Sequence, residues 1–99
     1  MYTIVIRRKF NPDRQQETIE RARREFFPKL QAAPGFTGFY LVRDEENGAN
    51  VAILVWEDKA HADAFQGEAD SWQGVLNEMG HRVEGINRGE TIVSLQGQH

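Results

Sequence analysis

Residues 36–57, FTGFYLVRDEENGANVAILVWE, decide the fold, because they hold two strand-like segments joined by a tight turn. Both segments are rich in β-branched and aromatic residues, which favour strands. Between them, Asn47-Gly48 is typical of a two-residue hairpin turn. The cross-strand pairs that follow from this turn are Phe39 with Trp56, Leu41 with Leu54, and Arg43 with Ala52. Those side chains would share one face of the sheet, and Tyr40, Val42, Ile53 and Val55 would share the other.

The sequence before this hairpin predicts a strand followed by a broken helix. Residues 2–10, YTIVIRRKF, have the composition of a strand. Asn11-Pro12-Asp13 is a helix start, since asparagine caps well and proline suits the first turn. Pro28 predicts a kink or break in this helix, and Pro34-Gly35 predicts its end.

The sequence after the hairpin predicts a short helix, a longer helix and a last strand. Asp58 is placed to cap the short helix, which reaches about Phe65. A second helix begins near Asp70 and ends at Gly85, and residues 90–96 form the last strand. The whole order is βαββαβ, which predicts an α+β ferredoxin-like fold with a four-stranded antiparallel sheet and helices on one face.

The strands are apolar on both faces, although the helices can cover only one. The run VAILVW at residues 51–56 has no polar alternation. A second copy of the chain, related by a two-fold axis, is the simplest cover for the other face. We therefore expect a homodimer through the sheet faces. The alternative is a monomer whose sheet is partly exposed to water.

Length and composition predict one domain over residues 1–99 and exclude several classes of protein. The formal net charge is −3, whereas nucleic-acid binding needs a concentrated basic face. Cysteine is absent, so there is no disulfide framework and no thiolate metal site. No apolar run approaches the roughly 20 residues of a membrane helix. We expect a cytosolic protein without membrane or nucleic-acid partners.

Residues 28–65 resemble the antibiotic biosynthesis monooxygenase type of dimeric α+β barrel. The resemblance rests on Pro34-Gly35-Phe36, on Gly38, and on a strand that ends in Trp56-Glu57 before a short helix. It implies a pocket between sheet and helices, with Trp56 facing it. The hairpin pairing predicts that further strand residues line this pocket, and side chains from the helices are expected to cover it from the opposite side. The predicted substrate-binding residues are Trp56, Phe39, Leu41, Leu54, Arg43, Phe65, Trp72 and Met79, with Phe26 beside them.

The chain departs from that family at the positions that carry chemistry. The resemblance to oxygenases of aromatic polyketides would place an asparagine and a tyrosine at positions 52 and 62, where this chain has Ala52 and Ala62. The resemblance to the haem-degrading members would place an asparagine on the first strand, a tryptophan in the short helix and a haem-ligating histidine in the last helix. The nearest positions in this chain are Ile6 or Arg7, Phe65 and Val75, which cannot replace them. A catalytic set is therefore not identified, and we expect neither a cofactor nor a metal.

The remaining polar candidates have structural interpretations beside functional ones. His61 and Asp63 are two residues apart and do not share a helix face, so they make a poor metal site. His81 is expected on the surface near the end of the second helix, where its charge suits the helix dipole. Among Arg7, Arg8 and Lys9, which alternate along the first strand, an arginine pairs with an acidic neighbour or holds an anionic substrate.

Two functions fit the sequence. One is a cofactor-independent monooxygenase acting on a small aromatic or quinol-like substrate, in which the protein orients and stabilises a substrate anion. The other is a non-catalytic dimer that binds a small apolar molecule or serves as a scaffold. RNA binding shares the βαββαβ order, but the third strand offers valine and isoleucine on its open face rather than stacking aromatics.

Overall fold

The computed structural model describes residues 1–98 as a four-stranded antiparallel sheet with helices on one face. This is the predicted ferredoxin-like α+β fold. The strand order across the sheet is β2-β3-β1-β4. The elements along the chain are β1 (Tyr2–Lys9), a 3-10 turn (Pro12–Arg14), α1 (Gln15–Glu25), α2 (Phe27–Ala32), β2 (Phe36–Asp44), β3 (Ala49–Trp56), α3 (Lys59–Ala64), α4 (Gln66–Glu78) and β4 (Arg82–Glu90).

The first helical region breaks as the sequence predicts. The Asn11 side chain accepts a hydrogen bond from the backbone N–H of Asp13 at 3.2 Å and caps the 3-10 turn. α1 ends before Phe26, and α2 begins with Pro28 in its first turn, where the missing N–H costs no helical hydrogen bond. The break leaves Phe26 buried and Phe27 half-buried above the sheet.

The hairpin between β2 and β3 has the predicted faces but not the predicted pairs. Phe39 lies opposite Leu54, and Leu41 lies opposite Ala52, so each predicted pair was wrong by two residues. The turn has four residues, 45–48, and only Gly48 has a positive φ, whereas a two-residue turn of the expected type needs two. A shift of two residues keeps every side chain on its face.

Side chains on the helix side of β2, β3 and β1 therefore form four rows across the sheet. We name the first of these the polar row, which consists of Arg43, Asn50 and Arg8. The rows, from one end to the other, are Arg43–Asn50–Arg8, Leu41–Ala52–Ile6, Phe39–Leu54–Ile4 and Phe36–Trp56–Tyr2. The sheet thus runs from a charged end to an aromatic end under the same helices.

The last strand lies earlier than predicted. The sequence placed it at residues 90–96, but β4 is Arg82–Glu90 and pairs with β1 along its length. The preceding helix ends at Glu78 because Gly80, with φ +85°, turns the chain, and not at Gly85. β1 begins at Tyr2, so residues 92–98 have no strand to pair with, and Ile92 and Leu95 are 91% and 87% exposed.

The open face of the sheet is apolar and exposed. Tyr40 and Val42 on β2 are 61% and 49% exposed, and Val5, Ile53 and Val55 beside them are half-buried. Within residues 1–98, no helix has the length and apolar character needed to cross a membrane. The cytosolic location expected from the sequence stays a prediction.

Candidate functional site

A cavity of about 90 Å³ lies between the helix side of the sheet and helices α1, α2 and α4. Side chains from the first three rows of the sheet form its floor: Arg8, Asn50, Ile6, Leu41, Ala52, Phe39 and Leu54. Its apolar wall consists of thirteen side chains, of which the aromatic ones are the largest: Phe10, Phe26, Phe27, Phe39 and Trp72. Its polar wall consists of Arg8, Gln15, Thr18, Asn50 and His81. None of the lining residues is acidic.

The apolar wall is built from two aromatic contacts. Phe26 and Trp72 stack with ring centroids 5.2 Å apart and an angle of 6° between their planes. Phe27 packs against Phe39 with centroids 5.3 Å apart. Flat rings arranged this way offer faces and edges against which another aromatic ring packs favourably.

Arg8 is the only cation in the wall that carries its charge at all ordinary pH values. Its Nε donates a hydrogen bond to Gln73 Oε1 at 2.8 Å, and burial lowers the pKa of Arg8 to about 10. Among residues 1–98, no carboxylate lies within ion-pair distance of it, whereas its neighbour Arg7 pairs with Asp44 at 2.8 Å on the open face. Of the two outcomes that the sequence predicts for these arginines, Arg7 shows pairing with an acidic neighbour, and binding of an anionic substrate stays a prediction. Arg8 leaves guanidinium donors for an anion in the cavity.

His81 forms a buried polar cluster behind the cavity. The backbone N–H of Asn11 donates to His81 Nδ1 at 3.1 Å, so the proton of the neutral ring is on Nε2. Nε2 lies 2.7 Å from Thr18 Oγ1 and donates to it, and this hydroxyl donates to the carbonyl of Arg14 at 2.7 Å. Burial, followed by the charges of Arg8 and Arg14, lowers the pKa of His81. The ring is therefore neutral at pH 7.

The predicted surface position of His81 was wrong. The residue is 3% exposed. The prediction carried the helix to Gly85, but α4 ends at Glu78 and the turn at Gly80 directs His81 inward, against the start of α1. No periodic pattern in the sequence signals this position, because the contacts of His81 are with residues 63 and 70 positions away.

A shallow groove adjoins the cavity on the outside, and we name it the outer groove. It is lined by Pro12, Gln15, Gln16, Ile19, Glu20, Arg23 and Arg43. Gln15 and Ile19 line both spaces, so the groove continues the cavity along α1. Asn50 Nδ2 donates to Gln15 Oε1 at 3.1 Å at this junction. Arg43 lies over the ring of Phe10, 5.8 Å from its centroid, and Phe10 itself lines the cavity.

Residues 1–73 match the family described as antibiotic biosynthesis monooxygenase. The chain belongs to the antibiotic biosynthesis monooxygenase family. The match covers the sheet from β1 to β3, the helices α1 to α3, and the part of α4 that carries Trp72. No curated protein shows significant sequence similarity to the chain.

Solved structures of monooxygenases share this fold. One is the monooxygenase from the gene ActVA-Orf6 of Streptomyces coelicolor, solved in complex with nanaomycin D, which is 14% identical to this chain with a TM-score of 0.75. The superposition covers 98% of this chain and 92% of the Streptomyces coelicolor chain. SnoaB, a cofactor-independent oxygenase from Streptomyces nogalater, is 18% identical and has a TM-score of 0.72, covering 97% of each chain. Identities this low show a common fold alone.

In this member of the family, the predicted substrate-binding residues fall into three groups. Phe39, Leu41, Leu54 and Trp72 line the cavity together with Phe26. Arg43 lies in the outer groove. Trp56, Phe65 and Met79 are buried in the core and do not line the cavity. That any of them touches a substrate stays a prediction.

Trp56 belongs to the aromatic end of the sheet. Its ring lies 5.6 Å from that of Phe36 and 5.3 Å from that of Phe65, centroid to centroid, and it is 1% exposed. Its Nε1 is the one buried side-chain N or O atom of residues 1–98 that has no hydrogen-bond partner. Of the two alanines at the family's chemical positions, Ala52 lines the cavity and Ala62 is buried in the core.

The histidines and carboxylates of residues 1–98 form no group of three that could hold a metal ion. His61 instead supports the start of α3. Asp58 Oδ1 accepts hydrogen bonds from the backbone N–H of His61 at 2.9 Å and from its Nδ1 at 2.8 Å. The predicted cap at Asp58 is thereby confirmed.

Proposed function

We propose that this chain is a cofactor-independent monooxygenase acting on a small aromatic or quinol-like substrate that binds in the cavity as an anion. One observation carries the proposal: a wall of aromatic rings contains a single arginine that has no carboxylate partner. Aromatic rings favour a flat apolar substrate, and a half-buried guanidinium favours an oxyanion on it. The family and its structural neighbours are consistent with oxygenation.

The reaction needs no external reductant, because the substrate supplies all four electrons. A quinol and dioxygen give a hydroxyquinone and water. The quinol anion passes one electron to dioxygen, and the two radicals then join through a new C–O bond on the ring. The O–O bond breaks, the proton on that carbon leaves, and the distal oxygen departs as water.

The protein contributes charge stabilisation and orientation to this reaction. Arg8 stabilises the substrate anion and lowers the pKa of its hydroxyl group, since an opposite charge favours the ionised form. His81 does not serve as the base, because its Nδ1 lone pair accepts the Asn11 N–H and its Nε2 carries the proton. The substrate therefore loses its proton to solvent, at a rate that follows its own acidity.

Oxygen uptake with quinols and anthrones tests the proposal. We expect one dioxygen consumed per product, no hydrogen peroxide, and no effect of a metal chelator. Arg8→Gln should lower the rate by about a hundredfold, which is typical for the loss of one donor to a developing oxyanion. Arg24→Gln, an exposed change on α1 outside the cavity, is the matched control. If catalase added after the reaction releases oxygen, hydrogen peroxide was formed, and the protein would be a peroxide-forming oxidase instead.

Non-catalytic binding is the second candidate function. It is supported by Ala52 in the cavity wall, at a position where the family's polyketide oxygenases would have an asparagine, and by a wall without an available base. The same titrations distinguish the two functions. Saturable binding of the aromatic compounds without oxygen uptake above a protein-free control would favour the binding module.

We also propose that two copies pair through their open sheet faces. The exposed side chains Tyr40 and Val42 continue into the half-buried Ile53 and Val55, an apolar surface for which a second copy is a self-complementary cover. Sedimentation should give a dimer for the native chain and a monomer for Val42→Asp. Gln31→Glu, on the exposed side of α2, should stay dimeric. A native chain that sediments as a monomer at micromolar concentration would contradict the pairing.

A further inference from the structure

The polar row spans three strands at the mouth of the cavity. Arg43 on β2 and Arg8 on β1 both lie opposite Asn50 on β3, so the two arginines are separated by one strand. Adjacent strands are about 4.8 Å apart, which puts the two backbones roughly 10 Å from each other on the same face. Arg8 lines the cavity and Arg43 lines the outer groove. One ligand can therefore meet both cations only if it extends from the cavity into the groove.

The cavity is too small to enclose an aromatic ligand completely. Its volume of about 90 Å³ compares with roughly 150 Å³ for a protein cavity that encloses benzene. Because Gln15 and Ile19 line both spaces, a ring in the cavity continues outward past them into the outer groove. The outward end of the ligand then lies beside Arg43.

The charges along this path are mainly positive, although the chain as a whole is acidic. The protein has 15 acidic and 12 basic residues, and four of its arginines, Arg7, Arg14, Arg21 and Arg88, have carboxylate partners. The three arginines beside the cavity and groove, Arg8, Arg23 and Arg43, have none within ion-pair distance among residues 1–98. Glu20 is the one carboxylate that lines the groove, and none lines the cavity. The positive potential of these three arginines favours an acidic ligand.

We propose that the substrate is an aromatic acid whose ring enters the cavity and whose carboxylate lies outside, bound by Arg43 with Arg23 beside it. Arg8 then holds the ionised ring oxygen at the inner end. This assignment rests on the proposed function, since it names the substrate class of the same site. Arg43 acts as a specificity residue: it selects ligands by their acidic outer end, and the reacting oxygen lies with Arg8.

A matched pair of phenols tests the assignment by calorimetry. The probes are para-hydroxyphenylpropionate and para-butylphenol, which have the same ring and nearly the same length but differ in the carboxylate. We expect the acid to bind the native protein about tenfold more tightly, the effect of one charge-assisted hydrogen-bond pair. Arg43→Gln should remove this preference, because the affinity for the acid falls toward that for the neutral phenol. Arg24→Gln should keep the preference, and salt should reduce it.

Three results would overturn the assignment: equal affinities of the native protein for the two probes, a preference that persists in Arg43→Gln, and no binding of either probe. Arg43 is exposed, so the variant is expected to fold, and its thermal unfolding curve verifies this. The oxygen assay fails or succeeds separately. Oxygen uptake with neutral quinols alone would support the monooxygenase and contradict the acidic substrate. Selective binding of the acid without oxygen uptake would support the acidic ligand and contradict the monooxygenase.

Discussion

The two ends of the layer between sheet and helices differ, although the same three strands build both. At the aromatic end, the ring of Trp56 packs between those of Phe36 and Phe65 and is 1% exposed. At the polar end, Arg8 and Asn50 line the cavity and Arg43 lines the outer groove. The tryptophan that the family resemblance connects with the pocket therefore lies at the aromatic end and does not line the cavity. From this difference we expect the aromatic end to contribute more to stability, and our proposal places ligand binding at the polar end.

The largest expected effect comes from removing a tryptophan from each end of the layer in turn. Trp56→Ala should lower the free energy of unfolding by about 3–5 kcal/mol, the range for a fully buried large side chain. Trp72→Ala, in the half-buried cavity wall, should cost roughly 1–3 kcal/mol because the vacated space joins an existing cavity. Urea unfolding measures both. Equal losses would mean that the two ends are packed alike.

A glycine beside the aromatic end gives the next largest effect. Gly35 has φ +77°, and a Cβ there would overlap the ring of His61. Gly35→Ala should therefore cost about 2–3 kcal/mol, since both the backbone and the His61 side chain must move. Gly74→Ala on α4 is the control, because a Cβ there meets nothing within 4 Å and alanine favours a helix. The control should be stabilised, and a Gly35→Ala protein as stable as the native one would contradict the close contact.

The fold was predictable because its signals are local and periodic. Strand geometry divides the side chains of 36–57 into two faces, and the family resemblance directs the Trp56 face toward the helices. A register error of two residues did not change either assignment. The position of β4 was not predictable in the same way. Both Gly80 and Gly85 are plausible helix ends, and the choice depends on the pairing of β4 with β1.

The candidate site was predictable only in its apolar part. Phe39, Leu41, Leu54 and Trp72 follow from strand and helix periodicity, and all four line the cavity. Arg8 shares the parity of Ile4 and Ile6, a signal that was present in the sequence and pointed to the helix side. The position of His81 had no such signal, because it depends on contacts with the opposite end of the chain.

The pH dependence of stability tests the polar end. The pKa of His81 lies below its ordinary value of 6.5, so the unfolded chain binds a proton more readily than the folded one. Stability from this group is complete above the unfolded pKa and is lost as the pH falls from about 6.5 toward the folded pKa, with a slope of at most about 1.4 kcal/mol per pH unit. Arg8 and Arg14 face the ring and oppose its protonation.

The comparison with His81→Gln isolates this effect, because carboxylates also titrate at lower pH. Urea unfolding of both proteins between pH 7.5 and about 5 should give a steeper loss for the native chain. Glutamine keeps a donor and an acceptor for Thr18 and Asn11 but does not titrate. Parallel profiles would mean that the imidazole is exposed to solvent in both states.

The smallest expected effect separates stability from binding at Arg8 itself. A guanidinium held in the wall without a carboxylate loses solvation and donates only one side-chain hydrogen bond, to Gln73, in return. Arg8→Met keeps the length of the side chain and removes the charge, so it should raise the free energy of unfolding by about 0.5–1 kcal/mol. The same variant should lose binding of phenolates. Arg7→Met on the open face, which breaks an ion pair with Asp44, should instead be neutral or destabilising. A protein that lost stability at Arg8→Met would need this charge for its fold, and the assignment of Arg8 to a ligand would lose its physical basis.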